Sequence, residues 1–321
     1  MVVAQDYVGH DSRKVAIIGT GYVGASIAYS LMMKELAREI ILIDKDEQKA
    51  EAEVLDIRHG IPYMGTASIR RGEYQDVAGA DLIIITAGRN RKVGETRLEM
   101  AADNVLIAKN VVEDLKQYYD SGVILVASNP VDIITYVVDR EMALPAGRVF
   151  GTGCILDSSR LVNAIADYVD INPAVINAQV IGEHGESQVP LWSKATIAGI
   201  PLGEYCSSAG IPFGREQQEE IEKKVKATGS TIIKGKGKTH FGIATCACSI
   251  ADAILNKRAT ITNVCSRLQG EYGLKDVALS LPCIIDENGI ERRLVDKLAK
   301  EELQKLKESA EKLQKTLAGL A

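Results

Sequence analysis

Long apolar runs, an excess of basic charge and paired metal-binding motifs are all missing from this 321-residue chain. No run approaches the roughly 18 consecutive apolar residues that a membrane-spanning helix needs, so we expect no membrane span. The N-terminal residues show no basic region followed by an apolar one, so we expect no signal peptide and a cytoplasmic protein. A net charge of −5 provides no basic surface for nucleic acid or for an anionic membrane.

The cysteine pattern argues against a metal site. None of the six cysteines forms a CxxC pair, and the one close pair, Cys246 and Cys248, has no histidine at ligand spacing. We therefore expect no zinc or other metal, and reduced, mostly buried thiols of the kind found in cytosolic proteins. The length, with 46% hydrophobic and 25% charged residues, suits a soluble globular protein of about two domains.

A glycine-rich turn is the most informative feature that is present. Gly19-Thr20-Gly21-Tyr22-Val23-Gly24 follows an apolar run typical of a buried strand and precedes a predicted helix, and the next predicted strand ends at Asp44. This order is the fingerprint of a dinucleotide site, in which the glycines allow a tight turn and the helix N-terminus faces the phosphates. Asp44 would accept hydrogen bonds from ribose hydroxyls and repel a 2′-phosphate, which favours NAD over NADP. The alternative, a glycine turn that binds nothing, does not explain the flanking pattern.

The first half of the chain alternates predicted strands and helices. Strands are expected at 14–18, 40–43, 67–70, 82–86 and 123–127, and helices at 22–34, 46–58 and 97–119. Continuously apolar strands are typical of parallel strands covered on both faces, and the alternation predicts an α/β, doubly wound parallel sheet of Rossmann type. Ligands of such sheets lie beyond the carboxyl ends of the strands. The polar and small residues that fall there include Asp44, Thr86, Ala87, Gly88 and Asn129.

The second half has a different rhythm and predicts an α+β substrate domain. Helices are expected at about 155–168, 215–226, 243–256 and 301–320, and strands at 174–181, 277–284 and 290–295. The last helix carries one apolar stripe at three–four spacing, which favours packing on its own domain over a coiled coil. We place the boundary near Phe150, with a dinucleotide-binding domain over 1–150, including a short arm at 1–12, and a catalytic domain over 151–321.

One histidine stands in a setting suited to acid–base chemistry. His184 lies between glycines at the end of an apolar run, and Asp157 and Arg160 lie upstream at a spacing of three residues. On a helix that spacing puts both side chains on one face. A carboxylate bound to one ring nitrogen would fix the tautomer of His184 and raise the basicity of the other nitrogen, and a guanidinium would bind a substrate carboxylate with two hydrogen bonds. An ordinary surface pair of Asp157 and Arg160 is the alternative.

Taken together, these segments resemble the lactate/malate dehydrogenase family over essentially the whole chain, from Lys14 to about residue 315. The resemblance is carried by Gly19–Gly24, Thr86–Gly88, Gly94–Arg97, Ser128–Asp132, Phe150–Gly153, Leu156–Arg160, Ile181–Gly185 and Ser280–Cys283. Within the family, the residues around the histidine and those before Arg97 match the pattern of lactate enzymes. This match implies reversible reduction of pyruvate to L-lactate. A non-catalytic NAD-binding relative is disfavoured, because His184, Asp157, Arg97 and Arg160 are all present.

The resemblance also implies a role for each residue. His184 would exchange a proton with the substrate oxygen, Asp157 would hold the protonated ring, and Arg160 would bind the substrate carboxylate. Arg97, on a loop that closes over the site, would polarise the carbonyl and help exclude water. Asn129 would hydrogen-bond the substrate and Thr239 would line the side-chain pocket. Positions that match NAD contacts in the family are Val23, Asp44, Lys49, Tyr74, Gly88 and Thr152.

Two departures from the family pattern affect substrate and regulation. Arg91 stands where lactate enzymes carry Gln and malate enzymes carry Arg for the second carboxylate of oxaloacetate, so malate dehydrogenase is the alternative function. Many bacterial relatives bind fructose 1,6-bisphosphate through an Arg and a His at positions occupied here by Val162 and Asn177, so we expect no such activation. The resemblance also implies a homo-oligomer, a tetramer or a dimer.

Overall fold

The N-terminal half is an alternation of strands and helices. The computed structural model describes residues 13–63, 65, 67–90 and 95–320, and the expected arm at 1–12 lies outside them. The elements of this half are β1 (Lys14–Ile18), α1 (Tyr22–Met33), β2 (Glu39–Ile43), α2 (Glu47–Arg58), β3 (Ser68–Arg71), β4 (Leu82–Ile85), α3 (Arg97–Lys116), β5 (Val123–Val126), α4 (Val131–Met142) and β6 (Val149–Gly151).

These six strands form a parallel sheet in the order β3-β2-β1-β4-β5-β6. All four residues of β4 and of β5 are buried, because helices cover both faces of the sheet. This is the predicted doubly wound fold. The strand order reverses between β1 and β4, and a ligand crevice opens at such a switch point outside the carboxyl ends of the strands. The residues after β1, β2 and β4 therefore meet at one edge.

The C-terminal half extends the same sheet with antiparallel strands. Its elements are α5 (Ile155–Val169), β7 (Ile176–Asn177), β8 (Val180–Gly182), β9 (Gln188–Pro190), β10 (Thr196–Ile197), β11 (Ile200–Pro201), α6 (Leu202–Ser208), α7 (Arg215–Lys236), α8 (Phe241–Leu255), β12 (Thr260–Gln269), β13 (Lys275–Asp286), β14 (Gly289–Arg293) and α9 (Lys300–Ala318). The sheet continues from β6 through β12, β13, β8 and β9, and β14 pairs with β13. The strand that carries Phe150 thus lies inside a continuous sheet.

The single strand predicted over 174–181 is wrong. Residues Pro173–Val175 form a short 3-10 turn capped by Asn172, whose side chain accepts a hydrogen bond from the Ala174 amide. The chain then contributes β7 to a small three-stranded sheet and β8 to the large one. An apolar run records burial but not the partner strand, so the change of sheet within it leaves no mark on the sequence.

The C-terminal helix α9 packs on its own chain, as its apolar stripe predicts. Leu306, Ala310 and Leu313 are buried in the core cluster that also contains residues of β8, β9 and β13. No helix in the described ranges has the length and apolar character to cross a membrane. The six cysteines are free and buried, and the described residues contain no group of three or more His, Cys, Asp or Glu suited to a metal ion.

Candidate active site

The three glycines of the turn between β1 and α1 have two different roles. Two of them allow close packing of the backbone, and the third leaves space for a ligand. A Cβ on Gly19, whose φ is +101°, would lie 2.6 Å from the Ala87 amide nitrogen, and a Cβ on Gly24 would lie 2.0 Å from the Gly19 carbonyl oxygen. Both positions therefore exclude any larger residue. At Gly21 no atom lies within 4 Å of a built Cβ, so the backbone there can be approached closely.

The N-terminus of α1 is suited to a phosphate. Gly21 is its N-cap, no side chain caps its first turn, and the first turn contains no acidic residue. Amide groups at such a helix start attract anions. The turn is held in shape by Thr86, whose hydroxyl donates to the Gly19 carbonyl oxygen over 2.7 Å. These features fit the diphosphate of a dinucleotide.

Asp44 is fixed next to the same turn. Its Oδ2 accepts hydrogen bonds from the backbone amide and the hydroxyl of Thr20, at 2.6 and 2.9 Å, and its Oδ1 accepts one from the Asp46 amide at 3.1 Å. Burial raises the pKa of Asp44, but these hydrogen bonds outweigh it and leave the pKa below its ordinary value. The carboxylate is therefore charged at neutral pH, and a 2′-phosphate placed beside it would meet a like charge.

The remaining positions expected to contact NAD border the same edge of the sheet. Tyr74 is half-buried, and burial together with the charges of Asp114 and Asp44 raises its pKa to about 12. Lys49 lies in the first turn of α2, where its charge lowers the pKa of Asp44. Val23 lies within the glycine turn, in the first turn of α1. Ala87, which adjoins Gly19, and Gly88 follow β4, and Thr152 follows β6 as a buried residue.

His184 and Asp157 form a hydrogen-bonded pair. The ring Nδ1 of His184 lies 2.5 Å from Asp157 Oδ2. The histidine follows β8 and the aspartate lies in the first turn of α5. The Asp157 side chain is 4% exposed and the His184 ring is 25% exposed. The carboxylate is therefore buried, while part of the ring remains accessible to a ligand. This pairing leaves Nε2 as the ring nitrogen for a substrate.

The charge of Asp157 sets the protonation of His184. Burial lowers the pKa of the ring, but the charge and hydrogen bond of Asp157 outweigh it and raise the pKa above its ordinary value. In the same way, burial raises the pKa of Asp157, and the neighbouring His184 and Arg160 bring it below its ordinary value. The pair is thus suited to hold a proton on the ring near neutral pH.

Arg160 hydrogen-bonds the same carboxylate and lies beside α7. Its Nη1 donates to Asp157 Oδ1 over 3.2 Å, as the three-residue spacing predicts, and its side chain is only 14% exposed. Its Nε is buried without a hydrogen-bond partner among the described residues. Gly229 of α7 adjoins the guanidinium, since a Cβ there would lie 3.7 Å from Nη2. A buried cation with an unused donor is suited to an anionic ligand.

The structure describes only the ends of the segment that precedes Arg97. Arg91 and Gly94 lie outside the described residues, as does the side chain of Arg97. Arg89, before the gap, pairs through its two terminal nitrogens with Glu95 after it. Thr96 caps α3, with its hydroxyl accepting from the Glu99 amide. The two ends are therefore tied together at the start of α3.

Two further residues expected to contact the substrate, Asn129 and Thr239, lie in loops that follow β5 and α7. Asn129 follows β5, and its side-chain Oδ1 accepts from the Val131 amide at 3.3 Å. Thr239 is half-buried in the turn between α7 and α8. Neither residue contacts the His184–Asp157–Arg160 cluster by a described hydrogen bond.

Comparison with known proteins matches both halves of the chain. A family model described as lactate/malate dehydrogenase, NAD binding domain, matches residues 13–151, and one described as lactate/malate dehydrogenase, alpha/beta C-terminal domain, matches residues 154–320. The chain belongs to the lactate/malate dehydrogenase family. It is therefore an NAD-dependent oxidoreductase, in agreement with the sequence prediction.

Three similar members of this family are each named L-lactate dehydrogenase. A protein of Thermoanaerobacter sp. (strain X514), called L-lactate dehydrogenase, is 41% identical over 308 residues, which is 96% of this chain and 99% of that one. An L-lactate dehydrogenase of Acetivibrio thermocellus is 39% identical, covering 96% and 97%. A crystal structure of the minor L-lactate dehydrogenase from Enterococcus mundtii superposes with a TM-score of 0.93 at 36% identity, covering 97% of this chain and 99% of that one.

Asp132 is a site residue of this dehydrogenase that sequence reasoning missed. It lies in the first turn of α4, it is 3% exposed, and its Oδ2 accepts a hydrogen bond from the backbone amide of His184 at 2.8 Å. Asp132 ends the Ser128–Asp132 motif, which was visible in the sequence. Nothing in its spacing, however, links it to a histidine 52 residues later.

Proposed function

We propose that this protein is an NAD-dependent L-lactate dehydrogenase that interconverts pyruvate and L-lactate. The observation that carries the proposal is the cluster of His184, Asp157 and Arg160, which combines a proton donor with a buried cation. A small 2-oxo acid presents the two groups that such a cluster would recognise, a ketone oxygen and a carboxylate. The names of the similar proteins support pyruvate as the substrate.

In this proposal the turn around Gly21 and the carboxylate of Asp44 hold the cofactor. When bound, NADH supplies the hydride for ketone reduction and NAD accepts it in the reverse direction. His184 gives the proton on Nε2 to the ketone oxygen during reduction and takes a proton from the hydroxyl during oxidation. Asp157 keeps Nδ1 protonated and stabilises the charged ring.

The other residues bind and orient the substrate. Arg160 binds its carboxylate by charge-assisted hydrogen bonds. By resemblance to the family, Arg97 polarises the carbonyl, Asn129 hydrogen-bonds the substrate and orients the His184 ring, and Thr239 lines the pocket for the substrate side chain. We further propose the family's division into a cofactor domain ending near Phe150 and a substrate domain over 151–321, and a homo-oligomeric assembly.

Malate dehydrogenase is the second candidate, and Arg91 is the residue that favours it. Malate enzymes of the family carry an arginine at this position, where it pairs with the second carboxylate of oxaloacetate. If Arg91 points into the closed site, pyruvate would leave its charge unpaired, at a cost of about 2–5 kcal/mol. If Arg91 instead meets solvent, its charge contributes at most about 1 kcal/mol and pyruvate is tolerated.

A side-by-side measurement of kcat/KM with pyruvate and oxaloacetate, using NADH, tests the proposal. We expect a preference for pyruvate, and we expect Arg91→Gln to change the ratio by no more than about fivefold, the limit set by an exposed charge. Lys92→Gln is the matched control, since it removes a neighbouring charge of the same sign. If the protein prefers oxaloacetate, and Arg91→Gln abolishes that preference while Lys92→Gln does not, the protein is a malate dehydrogenase.

Fructose 1,6-bisphosphate should have no effect on this enzyme. Val162 packs with its side chain half-buried against the core of the C-terminal half, and Asn177 in β7 is exposed and uncharged. Neither offers a cation for a phosphate ester, so we expect unchanged pyruvate half-saturation and thermal midpoint when the sugar phosphate is added. A clear fall in the half-saturation concentration would show that other residues bind it.

A further inference from the structure

A second carboxylate lies behind the catalytic histidine. Besides Asp157 on the ring, Asp132 holds the His184 main chain through the 2.8 Å hydrogen bond to its amide. Asp132 is almost fully buried, and no nitrogen or oxygen donor within the described part of the chain reaches its Oδ1. A buried carboxylate with so few hydrogen-bond donors destabilises the folded protein. Its presence is therefore better explained by a role in function than by fold stability.

The surroundings of Asp132 contain several ionisable groups. Those that face it are His184 and Glu183 after β8, Cys265 in β12, and Cys154 just before α5. Burial raises the pKa of Asp132 to about 6, against the lowering effects of the Cys265 thiol and of His184. Glu183 is committed elsewhere, since it accepts hydrogen bonds from Ser187 and Lys312. At neutral pH Asp132 is therefore largely ionised, and His184 is the cation whose charge lowers its pKa.

We propose that Asp132 is a positioning residue for proton transfer, which fixes the backbone of His184 and adds a second negative charge that keeps its imidazole protonated. The inference rests on the proposed role of His184 as the acid–base group. Its physical basis is that a negative charge close to a partly buried histidine favours the imidazolium form. Asp157 sets the tautomer of the His184 ring. Asp132 fixes the position of the His184 backbone and adds a negative charge near the ring.

Asp132→Asn separates the charge from the hydrogen bond. The amide oxygen of asparagine can still accept from the His184 amide, so the fold and the backbone anchor are retained while the charge is lost. Reduction of pyruvate needs protonated His184 and declines as pH rises through the pKa of its ring. We expect that decline to move to lower pH by about half a unit to one unit, with NADH affinity unchanged.

Asp139→Asn is the matched control. Asp139 is a buried carboxylate of the same helix that pairs with Arg267 instead of the histidine. Its loss should cost stability but leave the pH midpoint in place. If Asp132→Asn does not fold, Cys265→Ala replaces it: removing the thiol raises the pKa of Asp132, leaves fewer molecules charged, and shifts the midpoint in the same direction by a smaller amount.

A readout independent of turnover distinguishes this inference from the proposed function. The chain has four histidines, so the NMR titration of the His184 ring can be assigned by comparison with His184→Asn. A lower ring pKa in Asp132→Asn supports the inference even if pyruvate is not the substrate. An unchanged ring pKa, or equal losses of rate at every pH, would reduce Asp132 to a structural residue and overturn it.

Discussion

Replacement of His184 by Asn should lower the turnover of pyruvate by about 10³–10⁴-fold, within the range of an acid–base group, while NADH binding remains nearly intact. In the proposed mechanism the ring acts on the substrate oxygen, and its Nδ1 lies 2.5 Å from Asp157 Oδ2, just after β8. The cofactor turn follows β1, and the described side-chain hydrogen bonds that hold it come from Asp44 and Thr86, not from His184. Steady-state rates and NADH fluorescence titration measure the two effects separately.

Two further variants show whether the loss belongs to this pair. His59→Asn removes an exposed histidine that caps α2 and should leave turnover unchanged. Asp157→Asn should lower turnover and weaken pyruvate binding, because the protonated ring loses its counter-charge and Arg160 loses its partner. A His184→Asn enzyme that keeps most of its rate would remove the histidine from the mechanism.

The parts of the fold that could be predicted from sequence are those with local signals. The chain from β1 through the glycine turn to Asp44 combines short apolar strands, a conformationally required Gly19 and one helix, all within about thirty residues. Each of these signals is read from neighbouring residues. The sequence prediction failed over 174–181, because the partner of a strand depends on distant residues.

The candidate site shows the same division. Asp157 and Arg160 could be placed on one helix face from their spacing, and the structure confirms that they contact each other. His184 could be selected because it lies between glycines after an apolar run. Asp132 could not, because its role depends on the start of α4 meeting the residues after β8, and α4 itself was not predicted. A tertiary contact between a buried carboxylate and a backbone amide 52 residues away leaves no periodic signal.

Replacement of Arg160 by Gln should lower kcat/KM for pyruvate by about 10²–10³-fold, because the loss of a buried charge that binds a carboxylate costs about 2–5 kcal/mol. The guanidinium is largely buried and has an unused Nε within the described residues. NADH affinity should not change. Lys224→Gln is the control, since Lys224 of α7 pairs with Asp167 of α5 in solvent, where a lost ion pair has little effect.

Arg160 also contacts Asp157, so its loss could act through His184 instead of through the substrate. Pyruvamide, which keeps the ketone but has no carboxylate, separates the two possibilities. If Arg160 binds the carboxylate, wild type should favour pyruvate strongly over pyruvamide, and Arg160→Gln should lose that preference while changing the pyruvamide rate little. If Arg160 only supports the Asp157–His184 pair, both substrates should lose the same factor and the preference should survive. Equal losses would therefore assign the substrate carboxylate to another cation of the site.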